Sequence, residues 1–380
     1  MRRIEQWLRK AWSDMVTLFL CGDVMTGRGI DQVLPHPSNP TLHESYMESA
    51  REYVALAEAA TGPIPMPVDF SYVWGDALAE LERVVPDMRI INLETAITRS
   101  DDFFSNGINY RMNPENVRCL TAAGIDCCSL ANNHVLDWGY AGLLETLETL
   151  KEAGLKSVGA GRDQAEAESP VLLPAAKGAK VAVFGLGSVT SGIPRSWAAR
   201  PTTPGVNLLK DYSLDTVKDV ASKVQQVKGR GVIAVVSIHW GPNWGYAIGR
   251  EEREFAHGLI DRAGIDVIHG HSSHHIKGIE VYKGKPIIYG CGDFLNDYEG
   301  IRGYESFRGD LGLMYFITVN SPTGELVSLR MTPTRVRHFR VNRASGSDAR
   351  WLTDTLNREG SKLGTRAKLN EDGTLTLSWS

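Results

Sequence analysis

The sequence predicts an α/β fold, on three observations. Short apolar runs rich in β-branched residues recur along the chain. Each is followed by polar or glycine-rich residues, and patterns of helical period lie between them. Alternating strand and helix is the signature of that class. The runs are Thr17–Cys21, Met88–Leu93, Ile125–Leu130, Val181–Gly185, Val232–Ile238, Ile265–Ile268 and Pro286–Tyr289. At four to seven residues they suit buried strands. Between them, Tyr140–Ala153 carries leucines at helical spacing and stops at Gly154, and Arg250–Ala263 stops at Gly264. Both glycines suit the position just past a helix end.

After Gly309 the texture changes. Leu313–Val319, a turn at "SPTG" and Leu326–Met331 read as a hairpin, followed by a strand-like run over Arg335–Val341. These strands extend the sheet or form a second one. The expected organisation is an extension over 1–14, a main unit over 15–345 and an appendage over 346–380. The appendage holds a helix, Ala349–Gly360, and a hairpin turning at "EDG". An insertion over 31–70 leaves the loop after the first strand and carries a helix over Glu44–Ala60 between proline-rich links. A lid would sit there; a peripheral role fits equally.

Composition narrows the function. The chain has 380 residues, 42% apolar and 23% charged, which reads as globular. Net charge is −4, with no basic bias toward nucleic acid or anionic lipid. The five cysteines form no CxxC motif, so they are expected as buried hydrophobes in a reducing compartment. "MVTLFLC" is too short for a signal peptide or a membrane span, and no other run approaches one. The expectation is a cytoplasmic protein without a transmembrane segment, free or docked at a membrane complex.

The chemistry lies at the strand ends, where ligands collect in open α/β sheets. After the first strand "GDVMTGRG" offers Asp23 and Arg28. The second run is followed by Glu94, the third by Asn132, Asn133 and His134. His239 follows the Val232 run, and "HGHSSHH" follows Ile265–Ile268. Asp293 follows Pro286–Tyr289 in "GCGDF". Taken singly, each has an ordinary explanation as a cap or turn former. Their convergence on one rim points to a metal site. Carboxylate and imidazole without thiolate suit Mn²⁺, Fe²⁺ or Zn²⁺. His269 occupies a strand position and is expected to support a ligand or serve as an alternative one, and His275 alternates away from His274. His36, His43, His257 and His338 fall outside the strand ends. No GxSxG elbow and no P-loop is present, and "GLGSVTSG" lacks dinucleotide-binding spacing.

These motifs resemble the CapA family of poly-gamma-glutamate capsule biosynthesis proteins, which in turn resembles the calcineurin-like metallophosphoesterases. The matching pieces are "GDVMTGRG", "NLE", "ANNHVLDWG", "GLKSVGAGR", "SIHWGPNW" and "GHSSHHIKGIEVYKGKPIIYGCGDF", in consistent order over roughly residues 17 to 320. The resemblance implies a four-layer α/β/β/α sandwich with mixed sheets and a metal site at the strand ends. Carried onto this chain, it implies Asp23, Glu94 (bridging), Asn133, His239, His271 and His274 as metal ligands. His134 would be the catalytic histidine that binds no metal, with Asp137 placed to orient it. Arg28, Arg111, Asn92 and Asn132 are the candidates for binding an anionic substrate.

Two departures stand out. Met25 occupies the place of a histidine ligand, and Glu94 that of an aspartate. One metal position is therefore short of a ligand, to be filled for instance by Asp293, and the site holds one or two divalent ions. The reading is a metal-dependent hydrolase associated with poly-gamma-glutamate or capsule polymer synthesis. Its substrate is an anionic phosphoester or γ-glutamyl-type molecule or polymer, and its partners include polymer-assembly proteins. The other reading is a non-catalytic polyanion-binding component of such an apparatus.

Overall fold

A computed structural model describes residues 14–105, 107–175 and 178–380. All of the expected extension except Asp14 lies outside them. In chain order the strands are β1 (Met15–Val24), β2 (Met88–Leu93), β3 (Ala96–Ile97), β4 (Arg111–Met112), β5 (Cys127–Ser129), β6 (Lys156–Val158), β7 (Ala160–Gly161), β8 (Val171–Pro174), β9 (Lys180–Gly187), β10 (Gly205–Val206), β11 (Val232–His239), β12 (Val267–His271), β13 (Ile279–Tyr282), β14 (Lys285–Ile288), β15 (Asp293–Leu295), β16 (Leu311–Asn320), β17 (Leu326–Val336), β18 (Val341–Arg343), β19 (Thr365–Leu369) and β20 (Leu375–Trp379). The helices are α1 (Gly29–Val33), α2 (Ala50–Thr61), α3 (Asp76–Val84), α4 (Arg118–Ala122), α5 (Gly139–Glu152), α6 (Gln164–Glu168), α7 (Leu214–Val227), α8 (Arg250–Gly258) and α9 (Gly346–Gly360).

Two mixed sheets face each other. One is 10-stranded in the order β19-β20-β17-β16-β1-β2-β5-β6, with β15 paired to β1 and β18 to β17. The other is 6-stranded in the order β13-β14-β12-β11-β9-β8. Side-chain alternation sorts the strands into layers. Leu18, Leu20, Ile90, Val183, Val235 and Val267 meet between the sheets. Phe19, Ile91 and Cys128 turn the other way, onto Leu81, Leu120 and Leu147 of α3, α4 and α5. Phe184, Val236 and Ile268 pack on Val217 and Phe255 of α7 and α8. The four-layer sandwich is thus helix, sheet, sheet, helix.

Three stretches differ from expectation. The insertion's helix begins at Ala50, where Ser49 accepts a hydrogen bond from the Arg51 N–H as its N-cap. Glu44 lies outside that helix, in a buried ionic cluster. The run over Arg335–Val341 is two strands rather than one. His338 and Phe339 adopt left-handed φ of 58° and 53°, and both of their N–H groups donate to the Glu299 carboxylate. Residues 346–380 continue the large sheet: β20 pairs with β17, and Leu352 and Leu356 of α9 enter the core between the sheets. Among the described residues no helix is long and apolar enough to cross a membrane.

Candidate metal centre

Strand register explains why the candidate ligands meet. In the parallel pair β11–β12, Ser237 lies beside His269 and His239 beside His271. Period-two alternation points all four toward the space between the sheets, as it does for Val235 and Val267. On β2 the same rule follows Ile90 with Asn92. β1 is irregular around Asp23, and β15 lies parallel to it with Asp23 opposite Asp293. Gly22 permits this approach. A Cβ built there would stand 1.6 Å from the Gly292 carbonyl oxygen, which accepts the Asp23 N–H at 3.0 Å. Past β12, Ser272 holds a φ of 101°, secured by its N–H to Asp23 Oδ2 and its hydroxyl to Gly241 O. That turn returns His274 to the cluster.

Two groups of buried ligand atoms result: Asp23, His239 and His271, and Asp23, His274 and Asp293. Asp23 is common to both. Within each group the atoms lie within 4.8 Å of one another. His271 and His274, three residues apart in the motif, thus serve different groups. Asp293 supplies the second group, where Met25 offers nothing. Glu94, the bridging carboxylate implied by the resemblance, belongs to neither group. Its Oε1 stands 3.9 Å from both His239 Nε2 and His134 Nε2.

The donor set fits a cation, and proton bookkeeping shows why. The Cys21 carbonyl can only accept, so His269 Nε2 at 2.6 Å carries a proton. Burial pushes His269 down to about 4, so the ring is neutral and its Nδ1 is bare. The Ser237 hydroxyl donates to that atom at 3.1 Å. Its proton being used, Ser237 Oγ accepts from His271 Nε2–H at 2.9 Å, which leaves His271 Nδ1 bare. From the other side, Asn133 Oδ1 accepts from His239 Nε2–H at 2.9 Å, which leaves His239 Nδ1 bare. Burial lowers the pKa of both rings, so no second proton is available. The two bare nitrogens face each other at 2.8 Å, with Asp23 Oδ1 4.0 Å from His271 Nδ1. A cation resolves that opposition.

The carboxylates tell the same story. Burial and the neighbouring Asp293 push Asp23 up to about 7. Burial and Asp23 raise Glu94. Burial disfavours the His274 cation, but Asp293 at 2.9 Å outweighs it and raises His274. Clustered buried carboxylates need protons or cations to coexist.

Beside the groups stands His134. Its Nδ1 meets Asp137 Oδ2 at 2.8 Å, and the same oxygen accepts the Tyr110 N–H. Asp137 therefore orients His134 and does not cap α5, whose N-cap is Trp138. His134 Nε2 is left to face Glu94 and the cluster.

The four residues expected at the substrate are engaged within the protein. Asn92 donates to Asp23 and to Glu94 at 2.8 and 2.9 Å. Asn132 donates to Asn92 Oδ1 and Leu93 O. Both amides are buried; Asn92 holds the two carboxylates and Asn132 holds Asn92. Arg28 grips Asp297 through two nitrogens and reaches Glu44 and Tyr53. Arg111 binds Ser100 O, Asp101 and Asn39 O, and stacks on Trp138. Sequence reasoning missed Ser237, Asn243 and Asn296. Ser237 was findable, two positions before His239 on the same strand face. Asn243 Nδ2 lies 3.1 Å from His274 Nε2, and Asn296 donates to Asp293. Loop residues such as these carry no periodic signal.

Residues 17–298 match the family model described as bacterial capsule synthesis protein PGA_cap. The chain belongs to this family. A probable polyglutamine synthesis accessory protein of Mycobacterium tuberculosis is 50% identical over 366 residues, 96% of each chain. The PGA biosynthesis protein CapA of Bacillus subtilis is 27% identical over 367 residues, 96% of this chain and 82% of its own. The capsule biosynthesis protein CapA of Bacillus anthracis is 30% identical over 295 residues, 77% and 63% of the two chains. The PGA_cap match spans every candidate ligand from Asp23 to Asp293. Its fold is that of the metallophosphoesterase-like superfamily, as the layers above show.

Proposed function

We propose that this PGA_cap protein is a hydrolase dependent on two divalent cations, acting on an anionic phosphoester or γ-glutamyl-type substrate in capsule or polyglutamate synthesis. The observation that carries the reading is the pair of buried ligand groups sharing Asp23. Asp23, His239 and His271 would hold one ion, and Asp23, His274 and Asp293 the other. Cations bound there supply a water of lowered pKa and polarise the scissile group. The protein's own residues do the rest. Asn92 and the Ser272 N–H fix the orientation of Asp23. His134, its Nδ1–H held by Asp137, presents Nε2 to the cluster; Nε2 would take up the proton released by the attacking water and pass it to the leaving oxygen or nitrogen.

The test is hydrolysis of a generic phosphoester with Mn²⁺ beside metal analysis. His134→Ala is expected to retain metal and lose about 10²–10⁴-fold in rate. Metal loss in that variant would overturn the assignment of His134. A second reading, a non-catalytic component that binds polyanion, draws on the Mycobacterium tuberculosis relative, whose name calls it an accessory protein. Substoichiometric metal with no turnover of phosphoesters or γ-glutamyl peptides would favour it.

A further inference from the structure

Beside the cluster lies a cavity of about 410 Å³ that none of the roles above uses. Part of its wall consists of residues that touch the second ligand group. Asn296, which donates to Asp293 at 2.8 Å, forms part of its wall. So do Tyr298 and Trp244, whose rings lie 5.4 and 5.3 Å from that of His274. Its volume lies within the range of small-molecule sites and far exceeds what one phosphate needs. The far wall comes from the end of α2, the loop over 299–310 and the end of β17.

Stacked rings form the base of the wall. Trp244 stacks on Tyr304 with centroids 4.1 Å apart and planes 1° from parallel. His275 braces Trp244 from beneath, accepting the Gly245 N–H and stacking on Phe307. Thr61 ties α2 to Glu299 at 2.8 Å. The lining carries both signs of charge: Glu299 is taken up by the His338 and Phe339 N–H groups, and Glu305 lies beside the arginines. Arg308 and Arg335 are paired with Asp310 and Asp348. Arg302 and Arg337 also line the cavity; among the described residues neither side chain has an ion pair or a hydrogen bond, and Arg302 acts on the Glu305 carboxyl of the same lining only at a distance, adding to the backbone hydrogen bonds that lower its pKa. Ile301 and Tyr304 beside them are 44% and 50% exposed, which leaves an apolar surface next to two arginines that no ion pair holds in place.

We propose that this cavity is a second subsite, which takes the arm of an extended substrate and binds an oxyanion on that arm through Arg302 and Arg337. The apolar stem of the arm lies against Tyr304 and Ile301. A planar fork of donors suits carboxylate and phosphate alike. The subsite rests on the hydrolase reading, because the other end of the substrate lies at the metal groups. It makes the substrate a molecule with two anionic ends, too long for the cluster alone.

The experiment is calorimetric titration of the full chain with Mn²⁺ bound. The probes are butylphosphonate, 4-phosphonobutanoate with its longer-chain homologues, and the alkane bisphosphonates of matching length. At least one doubly anionic probe is expected to bind about tenfold tighter than butylphosphonate. Carboxylate and phosphonate ends then show which oxyanion the arm carries. Arg302→Gln/Arg337→Gln should abolish the advantage and leave butylphosphonate affinity unchanged. Both side chains are exposed, so the fold tolerates the change. If butylphosphonate binds but no doubly anionic probe gains, or the gain survives in the variant, the subsite is refuted and the metal site stands. If nothing binds even with Mn²⁺, the hydrolase reading and the subsite fall together.

Discussion

At the scale of single residues, the site is a problem of protons. Asp23 at about 7, Glu94 raised by burial and His274 raised by Asp293 all hold protons more tightly in the fold than in the unfolded chain. Stability from such groups is full below the unfolded pKa and is lost as pH rises through the folded one. The lowered histidines His239, His269 and His271 act in the opposite sense, but only below about pH 6.5, where free imidazole titrates. Above about pH 6.5 the first set acts alone, so metal-free protein should lose stability toward about pH 8. Bound cations replace the missing protons. The rise in melting temperature on adding Mn²⁺ to chelator-treated protein should therefore be larger at about pH 8 than at about pH 6.5. A rise that is equal or smaller at the higher pH would contradict this account. Asp137→Asn should behave differently, lowering the hydrolysis rate through His134 while leaving Mn²⁺ affinity unchanged.

At the scale of elements, the strands and the faces they present were legible. Short β-branched runs located β1, β2, β9, β11, β12 and β14, and period-two alternation aimed His239, His271 and Asn92 at the space between the sheets. Which strand ends meet was not legible. β15 is three residues long, has no period to read, and comes to lie on β1 from 270 positions away, since Asp23 pairs with Asp293. Local patterns encode a face, whereas the partner of a strand is decided by long-range packing. Glu94, which the resemblance implied as the bridging carboxylate, falls in neither ligand group, whereas Asp23 is common to both. The approach of β1 to Gly292 leaves no room for a side chain. Gly22→Ala should cost about 3 kcal/mol of stability and weaken metal binding by separating Asp23 from Asp293. Urea denaturation and Mn²⁺ titration of this variant check both effects, and a variant that keeps full stability would show that the strands can part without cost.

At the scale of the whole molecule, the insertion over 31–70 is bound to the site by charge. Arg28, φ 49°, joins Asp297 after β15 to Glu44 and Tyr53 of the insertion, and its guanidinium lies 3.8 Å from the Tyr53 ring. Arg111 reaches Asn39 O from the other side. The sequence showed two arginines near an anionic site and suggested substrate. The burial of both, and the acidic partners of Arg28, 16 and 269 positions away, could not be read from spacing. Exposed pairs such as Arg250–Glu254 are screened by water and contribute little. Removing Arg28 strands two buried carboxylates, so Arg28→Met should destabilise the protein by about 3–5 kcal/mol. Limited proteolysis should then cut within 31–70 first; unaltered protection there would mean that other contacts hold the insertion. In the proposed site one aspartate joins two cation positions, and the Mn²⁺ stoichiometry of variants decides whether it does. Two equivalents are expected to bind the native chain, one to His239→Ala, one to His274→Ala and none to Asp23→Ala. A native stoichiometry of one, or both ions lost from either histidine variant, would contradict it.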